Sequence, residues 1–250
     1  MELSGRTALL TGATGGLGRA IAQALAERGA SLVLSSRKAG ELERMAADLP
    51  EPDGGMAHRA VSADLAVEGA ALKLVDEAGD VDVLVANAGL PASGRFDSFS
   101  QEEISEALRV NLESPIRMAR ELAPKMAERG EGHLVFVSSL AGKAASPRAS
   151  IYSATKFGLR GFAICLRADL GGSGVGASLI SPGFIREAGM FADGGGDPRF
   201  LGTSSPQEVG AAVVRAIERD KLEIAVAPLR QRALAHFALA APGPALRALS

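Results

Sequence analysis

The chain has a single tyrosine, Tyr152, and a lysine, Lys156, follows it four residues later. Residues at this spacing lie on one face of a helix. A phenol with its ordinary pKa of about 10 exchanges protons poorly at neutral pH, and a nearby ammonium lowers that pKa by favouring the phenolate. We therefore expect Tyr152 to be a general acid or base with a pKa lowered by Lys156. The pair by itself could also be a chance feature of an amphipathic helix.

Further polar residues are predicted at the carboxyl ends of strands, the edge at which parallel sheets bind ligands. Ser138 and Ser139 end one apolar run, and Asn87-Ala88-Gly89 ends the run before it. Asn111 lies in the middle of a predicted long helix, where on its own it would be interpreted as a surface residue. The sequence thus predicts that several groups capable of proton chemistry share one edge of a sheet.

A glycine-rich segment, Thr11-Gly12-Ala13-Thr14-Gly15-Gly16-Leu17-Gly18, joins the first predicted strand to the first predicted helix. Glycines at positions 12, 16 and 18 permit a sharp turn and a close approach of the backbone to a ligand. The helix that begins there presents unpaired N–H groups and the positive end of its dipole. The segment therefore predicts a site for a dinucleotide pyrophosphate, although packing glycines in a tight turn would look the same.

The second predicted strand ends in Ser35-Ser36-Arg37-Lys38, the place where NAD-binding folds usually carry an acidic residue for the adenosine ribose. No carboxylate stands there, and the guanidinium of Arg37 can bind a 2′-phosphate. This favours NADP(H) as the cofactor, with NAD as the alternative. Against it, Gly15 occupies the position of a second basic residue in the loop, and Arg37 could belong to an ordinary solvated face.

Strands and helices alternate along most of the sequence. Apolar runs predict strands at Thr7–Thr11, Ser31–Ser35, Ala57–Val61 (weakly), Val81–Ala86, His133–Ser138, Val175–Ser181 and Leu222–Ala227. Helical periodicity covers residues 19–28, 39–49, 101–129, 151–170 and 206–219. Such alternation predicts an α/β fold, a Rossmann-type doubly wound parallel sheet of about seven strands. We expect a single domain, with residues 1–228 binding the dinucleotide and catalysing, and residues 229–250 forming an amphipathic tail of the same domain.

Composition excludes several classes of protein. The formal charge of −2 gives no basic footprint for nucleic acid. One cysteine, Cys165, excludes an internal disulfide and a multi-thiolate zinc site, and we interpret it as a buried core residue. Three scattered histidines give no metal-ligand pattern. With no targeting segment at the start and no apolar run of about 18 residues, we expect a cytoplasmic protein without a membrane-spanning helix or a bound metal.

In order and spacing, these motifs resemble the short-chain dehydrogenase/reductase family. The resemblance covers about residues 5–227 and rests on the loop at 11–18, Asp64-Leu65, Asn87-Ala88-Gly89, Asn111, Ser139, Tyr152 to Lys156 and Pro182-Gly183. It implies an enzyme that transfers a hydride between NAD(P)(H) and a small-molecule carbonyl or alcohol. It also implies a homo-oligomer, either a dimer or a tetramer.

The resemblance assigns a role to each motif. Tyr152 would give the proton to the carbonyl oxygen, and Lys156 would hold the nicotinamide ribose. Ser139, which matches the family spacing where Ser138 does not, would bind the substrate oxygen, and Asn111 would hold a water behind Lys156. The implied cofactor contacts are Gly12, Thr14, Gly15, Gly16, Leu17, Gly18, Arg37, Asp64, Leu65, Asn87, Ala88, Gly89, Tyr152, Lys156, Pro182, Gly183 and Ile185.

Three features depart from the family pattern. Glu187 stands where many members have a threonine for the nicotinamide carboxamide, and Ala86 precedes Asn87 where a second asparagine is commoner. The segment after Pro228 is an arginine-dotted apolar tail, similar to members that act on apolar carbonyls. It could pack on the body, cover the cleft, form a dimer contact or touch a membrane surface. The loop at 184–205 is expected to cap an apolar pocket, with candidate residues Phe184, Ile185, Met190, Phe191, Phe200 and Leu201 and with Gly194-Gly195-Gly196 as a hinge.

Three hypotheses of function remain after this reasoning. The first is an NADP-preferring reductase of an apolar ketone or aldehyde, or the reverse alcohol dehydrogenase. The second is a non-catalytic regulator that binds the dinucleotide on the same fold. The third is a peripheral membrane protein whose tail determines its location and whose enzyme serves a lipid pathway. Proton chemistry is of no use to a regulator, so the presence of Ser139, Tyr152, Lys156 and Asn111 favours the enzyme.

Overall fold

A computed structural model describes residues 1–54, 56–186 and 201–249. Seven strands form one sheet: β1 Thr7–Thr11, β2 Ser31–Ser36, β3 Arg59–Ser62, β4 Val83–Ala86, β5 Gly132–Val137, β6 Val175–Pro182 and β7 Glu223–Val226. All pairs are parallel, in the order β3-β2-β1-β4-β5-β6-β7. The predicted doubly wound α/β sheet is confirmed, and each strand bound lies within two residues of the predicted one.

The strand order reverses direction between β1 and β4, which pair directly through Leu9 and Leu84. The connections from β1 and from β4 leave on opposite sides of this point, so a crevice opens at the carboxyl ends of the two strands. The glycine segment and Asn87 both follow strands that end there. The fold therefore places the predicted binding motifs at one crevice.

Nine α-helices are described along these ranges: α1 Gly16–Ala26, α2 Ala39–Asp48, α3 Ala70–Ala78, α4 Gln101–Leu108, α5 Ser114–Arg129, α6 Ser150–Asp169, α7 Pro206–Glu218, α8 Leu229–Ala240 and α9 Pro242–Leu249. Helix α3 was not predicted. The long helix predicted over 101–129 is α4 and α5 joined by a π-helical turn, Arg109–Glu113.

The helices cover both faces of the sheet, and two apolar cores result. On one face, α1 and α7 pack so closely that a Cβ at Gly210 would meet the carbonyl oxygen of Ala20. On the other face, Phe136 is fully buried and lies edge-on to Phe162 of α6, with 5.5 Å between the ring centroids. These contacts fix the helices whose first turns and side chains line the crevice.

Two expectations from the sequence were wrong: that Cys165 is buried, and that the tail helix directs its large apolar residues inward. Cys165 is exposed, because it lies on the outer side of α6 away from the sheet. Helix α8 does not direct its large apolar residues inward; it buries Gln231, Ala235 and Ala238 and leaves Leu229 and Phe237 exposed. No helix within the described ranges combines the length and apolar character required to cross a bilayer.

Candidate active site

The carboxyl ends of the strands enclose a cleft of about 320 Å³. Its lining includes every predicted cofactor contact and three of the four predicted catalytic residues. They are Gly12, Thr14, Gly15, Gly16, Leu17, Gly18, Arg37, Asp64, Leu65, Asn87, Ala88, Gly89, Ser139, Tyr152, Lys156, Pro182, Gly183 and Ile185. The fourth catalytic residue, Asn111, lies behind the lining and is fully buried. The structure thus brings the predicted residues together at one site.

The glycine loop packs against its own backbone and against the turn after β4. Gly12 has a φ of +66°, and a Cβ on it would lie 2.9 Å from the Cα of Ala88. A Cβ on Gly18 would overlap the carbonyl oxygen of Gly12. Within the described residues, no side chain caps α1 at Gly15, and its first turn holds no acid. The resulting cradle of backbone N–H groups fits a dinucleotide pyrophosphate.

Thr11 and Asn87 fasten this loop to the next strand end. The Thr11 hydroxyl accepts hydrogen bonds from the backbone N–H groups of Asn87 and Ala88, both at 3.1 Å. The Asn87 amide donates to the carbonyl oxygens of Thr11 and Gly12, at 3.0 and 3.2 Å. Asn87 therefore shapes the floor of the cleft through the backbone, a more specific role than lining it.

Arg37 lines the cleft beside the end of β2 and is exposed. Its neighbour Lys38 pairs with Glu41 at 3.1 Å, whereas no salt bridge to Arg37 is found among the described residues. At the same end, Asp64 accepts a hydrogen bond from the backbone N–H of Ala66 at 3.0 Å, which fixes its carboxylate beside Leu65. The guanidinium of Arg37 could bind a ribose 2′-phosphate, and the Asp64 carboxylate is engaged by the local backbone. Both observations fit the expectation of NADP(H).

Tyr152 is 4% exposed, so its phenol reaches solvent only through the cleft. Burial raises its pKa to about 12, although a hydrogen bond with the Ser139 hydroxyl acts in the opposite direction. The sequence predicted a lowered pKa, and this was wrong, because desolvation of the phenolate is the dominant cause of the shift; the ammonium of Lys156 lies 5.7 Å from the ring centroid. The phenol is protonated at neutral pH.

Lys156 extends from α6 to the end of β5. Its ammonium donates a hydrogen bond to the carbonyl oxygen of Val137 at 3.0 Å. Burial lowers its pKa to about 8, since few water molecules can solvate the charge. Ser138 donates to the carbonyl oxygen of Lys156 at 3.3 Å, so the end of β5 binds Lys156 through both its side chain and its backbone.

Asn111 occupies the π-helical turn and joins two segments of the site. Its side chain accepts from the backbone N–H of Leu90 at 2.7 Å and donates to the carbonyl oxygen of Leu90 at 3.0 Å. It also donates to the hydroxyl of Thr155 at 3.4 Å, and that hydroxyl donates to the carbonyl oxygen of Tyr152. Asn111 is therefore not a surface residue, and its contacts couple the loop after β4 to the catalytic turn.

Gln231 of α8 belongs to the site although the sequence reasoning missed it. Its amide oxygen accepts from the backbone N–H of Phe184 at 3.1 Å. Its amide nitrogen donates to the carbonyl oxygens of Gly202 at 2.6 Å and Leu201 at 3.3 Å. Gln231 thereby links the backbone at Phe184 to the backbone at Leu201 and Gly202, close to Gly183. A lone glutamine in an apolar tail gives no sequence pattern by which it could have been found.

A buried ion pair anchors the loop that carries Ser139. Lys143 follows the short helical turn after Ser139, and its ammonium lies 2.9 Å from the carboxylate of Glu223 on β7. Ser181 donates to the same carboxylate oxygen at 2.9 Å, and Arg160 lies 3.4 Å from the other oxygen. Burial favours a higher pKa for Glu223, but the hydrogen bonds from Lys143 and Ser181 outweigh it and hold that pKa below its ordinary value.

Several expectations lie outside the described residues. They concern Glu187 and the candidate pocket and hinge residues at positions 190, 191, 194–196 and 200. The residues on either side, 184–186 and 201–204, are described and are called the stem. The backbone N–H of Arg186 donates to the carbonyl oxygen of Ser204, and the N–H of Ser204 donates to that of Phe184. Ile185 lies in this stem and lines the cleft.

A parallel sheet with a glycine loop at its switch point and a buried Tyr–Lys–Ser group in one cleft defines a dinucleotide-dependent oxidoreductase. Comparison with known families agrees, since residues 6–195 match the short chain dehydrogenase family. The chain belongs to this family, which confirms the resemblance seen in the motifs, and it is an NAD(P)-dependent oxidoreductase.

Individual relatives and structures show the same class. The chain is 38% identical over 229 residues to the ketoacyl reductase HetN of Nostoc sp., covering 90% of this chain and 79% of that protein. It is 31% identical over 185 residues to the 3-oxoacyl-[acyl-carrier-protein] reductase FabG of Vibrio cholerae, covering 74% and 75%. A short-chain dehydrogenase from Sphingobium yanoikuyae in complex with NADPH is similar in structure, with a TM-score of 0.78, 28% identity and coverage of 88% and 87%.

Proposed function

We propose that the protein reduces an apolar ketone, aldehyde or acyl-linked carbonyl with NADPH, or catalyses the reverse oxidation, and that Tyr152 is the general acid or base. The observation that carries the proposal is the burial of Tyr152, Ser139 and Lys156 around the cleft that also contains the glycine loop. When bound, the dinucleotide supplies the hydride, and the chain supplies position and the proton.

In the reducing direction, the Tyr152 hydroxyl donates its proton to the carbonyl oxygen as negative charge develops there. A phenol with a pKa of about 12 keeps that proton at neutral pH and still gives it to an alkoxide, which is far more basic. The Ser139 hydroxyl donates a hydrogen bond to the same oxygen and orients the carbonyl. Two donors at one oxygen stabilise the transition state more than the substrate.

Lys156 and Asn111 serve Tyr152 and the cofactor. The ammonium of Lys156 binds the nicotinamide ribose, and its charge offsets the cost of forming the phenolate when the proton leaves. Asn111 joins the loop after β4 to the turn that carries Tyr152, and a water held near its side chain would connect Lys156 with solvent. Among the proposed cofactor contacts, Pro182, Gly183 and Ile185 would border the nicotinamide, whereas Asp64 and Leu65 would lie beside the adenine.

The preference for NADP(H) is supported by Arg37 and by the lack of an acid at the end of β2. Solved relatives of similar fold include proteins described with NADPH or NADP bound. NAD remains the alternative, because the loop lacks a second basic residue at Gly15. We propose further that the enzyme is cytoplasmic and forms homo-oligomers, and that its substrate is a small molecule rather than nucleic acid.

Replacement of the phenol tests this function. Tyr152→Phe keeps the ring and its packing and removes the proton, so kcat should fall by about 10²- to 10⁴-fold while NADPH affinity stays within about twofold. The measurement is NADPH oxidation with a panel of ketones, aldehydes and acyl thioesters, together with NADPH titration of both proteins. Unchanged turnover in the variant would refute the role of Tyr152. NADPH binding without turnover of any carbonyl by the wild type would favour the regulator.

A further inference from the structure

The outer surface of the C-terminal helices is both apolar and cationic. No acidic residue follows Glu223 in the sequence, whereas Arg230, Arg232 and Arg247 do, in a chain whose formal charge is −2. All three arginines are exposed. The segment that forms α8 and α9 thus carries three arginines and no acid, an excess of positive charge far in sequence from the phosphate-binding loop.

The large apolar residues of α8 are exposed, and two of them, Leu229 and Phe237, lie on the side that faces away from the body. At 100° per residue, the buried residues Gln231, Ala235 and Ala238 define the inner face. Leu229, 76% exposed, and Phe237, 48% exposed, lie towards the opposite side. An exposed leucine and phenylalanine on the outer face are the reverse of what a helix packed on a core requires.

The arginines flank this outer apolar stripe. On the same helical projection, Arg230 lies to one side of Leu229 and Arg232 to the other. Leu246 and Arg247 on α9, both exposed, repeat the combination of an apolar side chain beside a guanidinium. A helix with apolar residues between basic flanks is suited to the plane where lipid headgroups meet acyl chains.

We propose that α8 and α9 dock on the surface of an anionic phospholipid bilayer through their exposed side chains, Leu229, Arg230, Arg232, Phe237, Leu246 and Arg247. The apolar side chains enter the headgroup region and the guanidinium groups bind lipid phosphates. A second copy of the chain is a poorer occupant, because a two-fold contact would place this arginine-bearing face against itself.

Docking through this face would place the lipid surface against the outer side of α8, the helix whose inner side contacts the segment beside the cleft. The inner side of α8 carries Gln231, which bonds Phe184 and Gly202 at the base of the segment beside the cleft. An apolar substrate dissolved in the bilayer would then reach the enzyme beside its cleft. The docking itself does not depend on the proposed reaction.

Sedimentation of the full chain with vesicles tests the docking without any turnover. Vesicles of phosphatidylcholine alone are compared with vesicles of equal parts phosphatidylcholine and phosphatidylglycerol, at low and high salt. The wild type should sediment mainly with the anionic vesicles, and salt should reduce the binding. Arg230→Glu with Arg232→Glu should weaken binding at least about tenfold, since each basic residue near an anionic surface contributes about fivefold. Leu229→Ser with Phe237→Ser should also weaken it more than about tenfold.

Matched variants elsewhere on the surface separate docking from general charge or apolar exposure. Leu72→Ser with Phe96→Ser removes exposed apolar residues of the same types, and Arg44→Glu with Arg120→Glu reverses the same number of charges. Both controls should bind vesicles like the wild type. Binding that is equal in the tail and control variants would overturn the proposal. Absence of anionic-vesicle binding by the wild type would also overturn it, and a dimer that Phe237→Ser dissociates would then assign the face to a second copy.

Discussion

The amide of Gln231 offers a direct way to test how the tail helix shapes the cleft. Gln231→Leu keeps a side chain of similar size but removes the acceptor for the Phe184 N–H and the donor for the Gly202 carbonyl. Gln231 is 4% exposed, so water does not easily replace these partners. A buried polar group left unpaired costs about 1 to 3 kcal/mol, and two at the lower bound cost about 2 kcal/mol.

That cost falls on the stem that carries Ile185 and not on the phosphate-binding loop. If turnover requires the native stem, about 2 kcal/mol lowers kcat/KM for the carbonyl by about 30-fold. The affinity for adenosine 2′,5′-bisphosphate, which occupies the Arg37 end alone, should stay the same. Gln23→Leu, which removes an exposed glutamine bonded to Glu27 on α1, is the matched control and should leave both quantities unchanged.

A second variant separates positioning from loss of stability. Gln231→Glu places a carboxylate against the Gly202 carbonyl at neutral pH, where both are acceptors. On acidification the protonated acid can again accept from Phe184 and donate to Gly202, so kcat/KM relative to the wild type should rise as pH falls. Thermal unfolding of each variant accompanies the kinetics. Wild-type kcat/KM in Gln231→Leu, or an equal loss of bisphosphate affinity, would refute this role of Gln231.

Three further outcomes are expected. Arg37→Ala should weaken NADPH binding by at least about tenfold, the contribution of a hydrogen bond between charged groups, and leave NADH binding unchanged; equal losses by titration would remove Arg37 from 2′-phosphate recognition. Glu223→Leu should lower the free energy of unfolding in urea by about 3 kcal/mol because the Lys143 ammonium stays buried and unpaired, and adding Lys143→Met should restore most of it; additive losses would contradict this coupling. Burial lowers the pKa of His133 to about 4 from 6.5, so the unfolded chain takes up more protons and stability present above about pH 6.5 should fall by about 2 kcal/mol by pH 5; His133→Gln should lack this acid-sensitive part.

The sequence predicted those parts of the fold whose pattern is local. Buried parallel strands such as β1 and β5 are continuous apolar runs, and the glycine loop has a fixed spacing, so both were found. The edge strand β3 was weak because three of its four residues are exposed. Helix α3 was missed, although its buried residues recur at helical spacing, because the run is short.

The parts that escaped prediction depend on contacts distant in sequence. Gln231 bonds to Phe184, 47 residues away, and Lys143, in the loop after β5, pairs with Glu223 on β7. The raised pKa of Tyr152 follows from how much protein surrounds the phenol, and residue spacing alone does not contain that information. The π-helical turn at Asn111 likewise depends on tertiary bonds to Leu90 and Thr155.

The close approach of Gly210 to Ala20 means that α1 and α7, which are far apart in the sequence, pack with no side chain between their backbones at this point. One methyl group at position 210 would wedge α7 away from α1 and so tilt the helix whose first turn faces the pyrophosphate. We therefore expect Gly210→Ala to change the affinity for the dinucleotide although position 210 does not line the cleft. Substitution there would leave the side chain of Tyr152 in place.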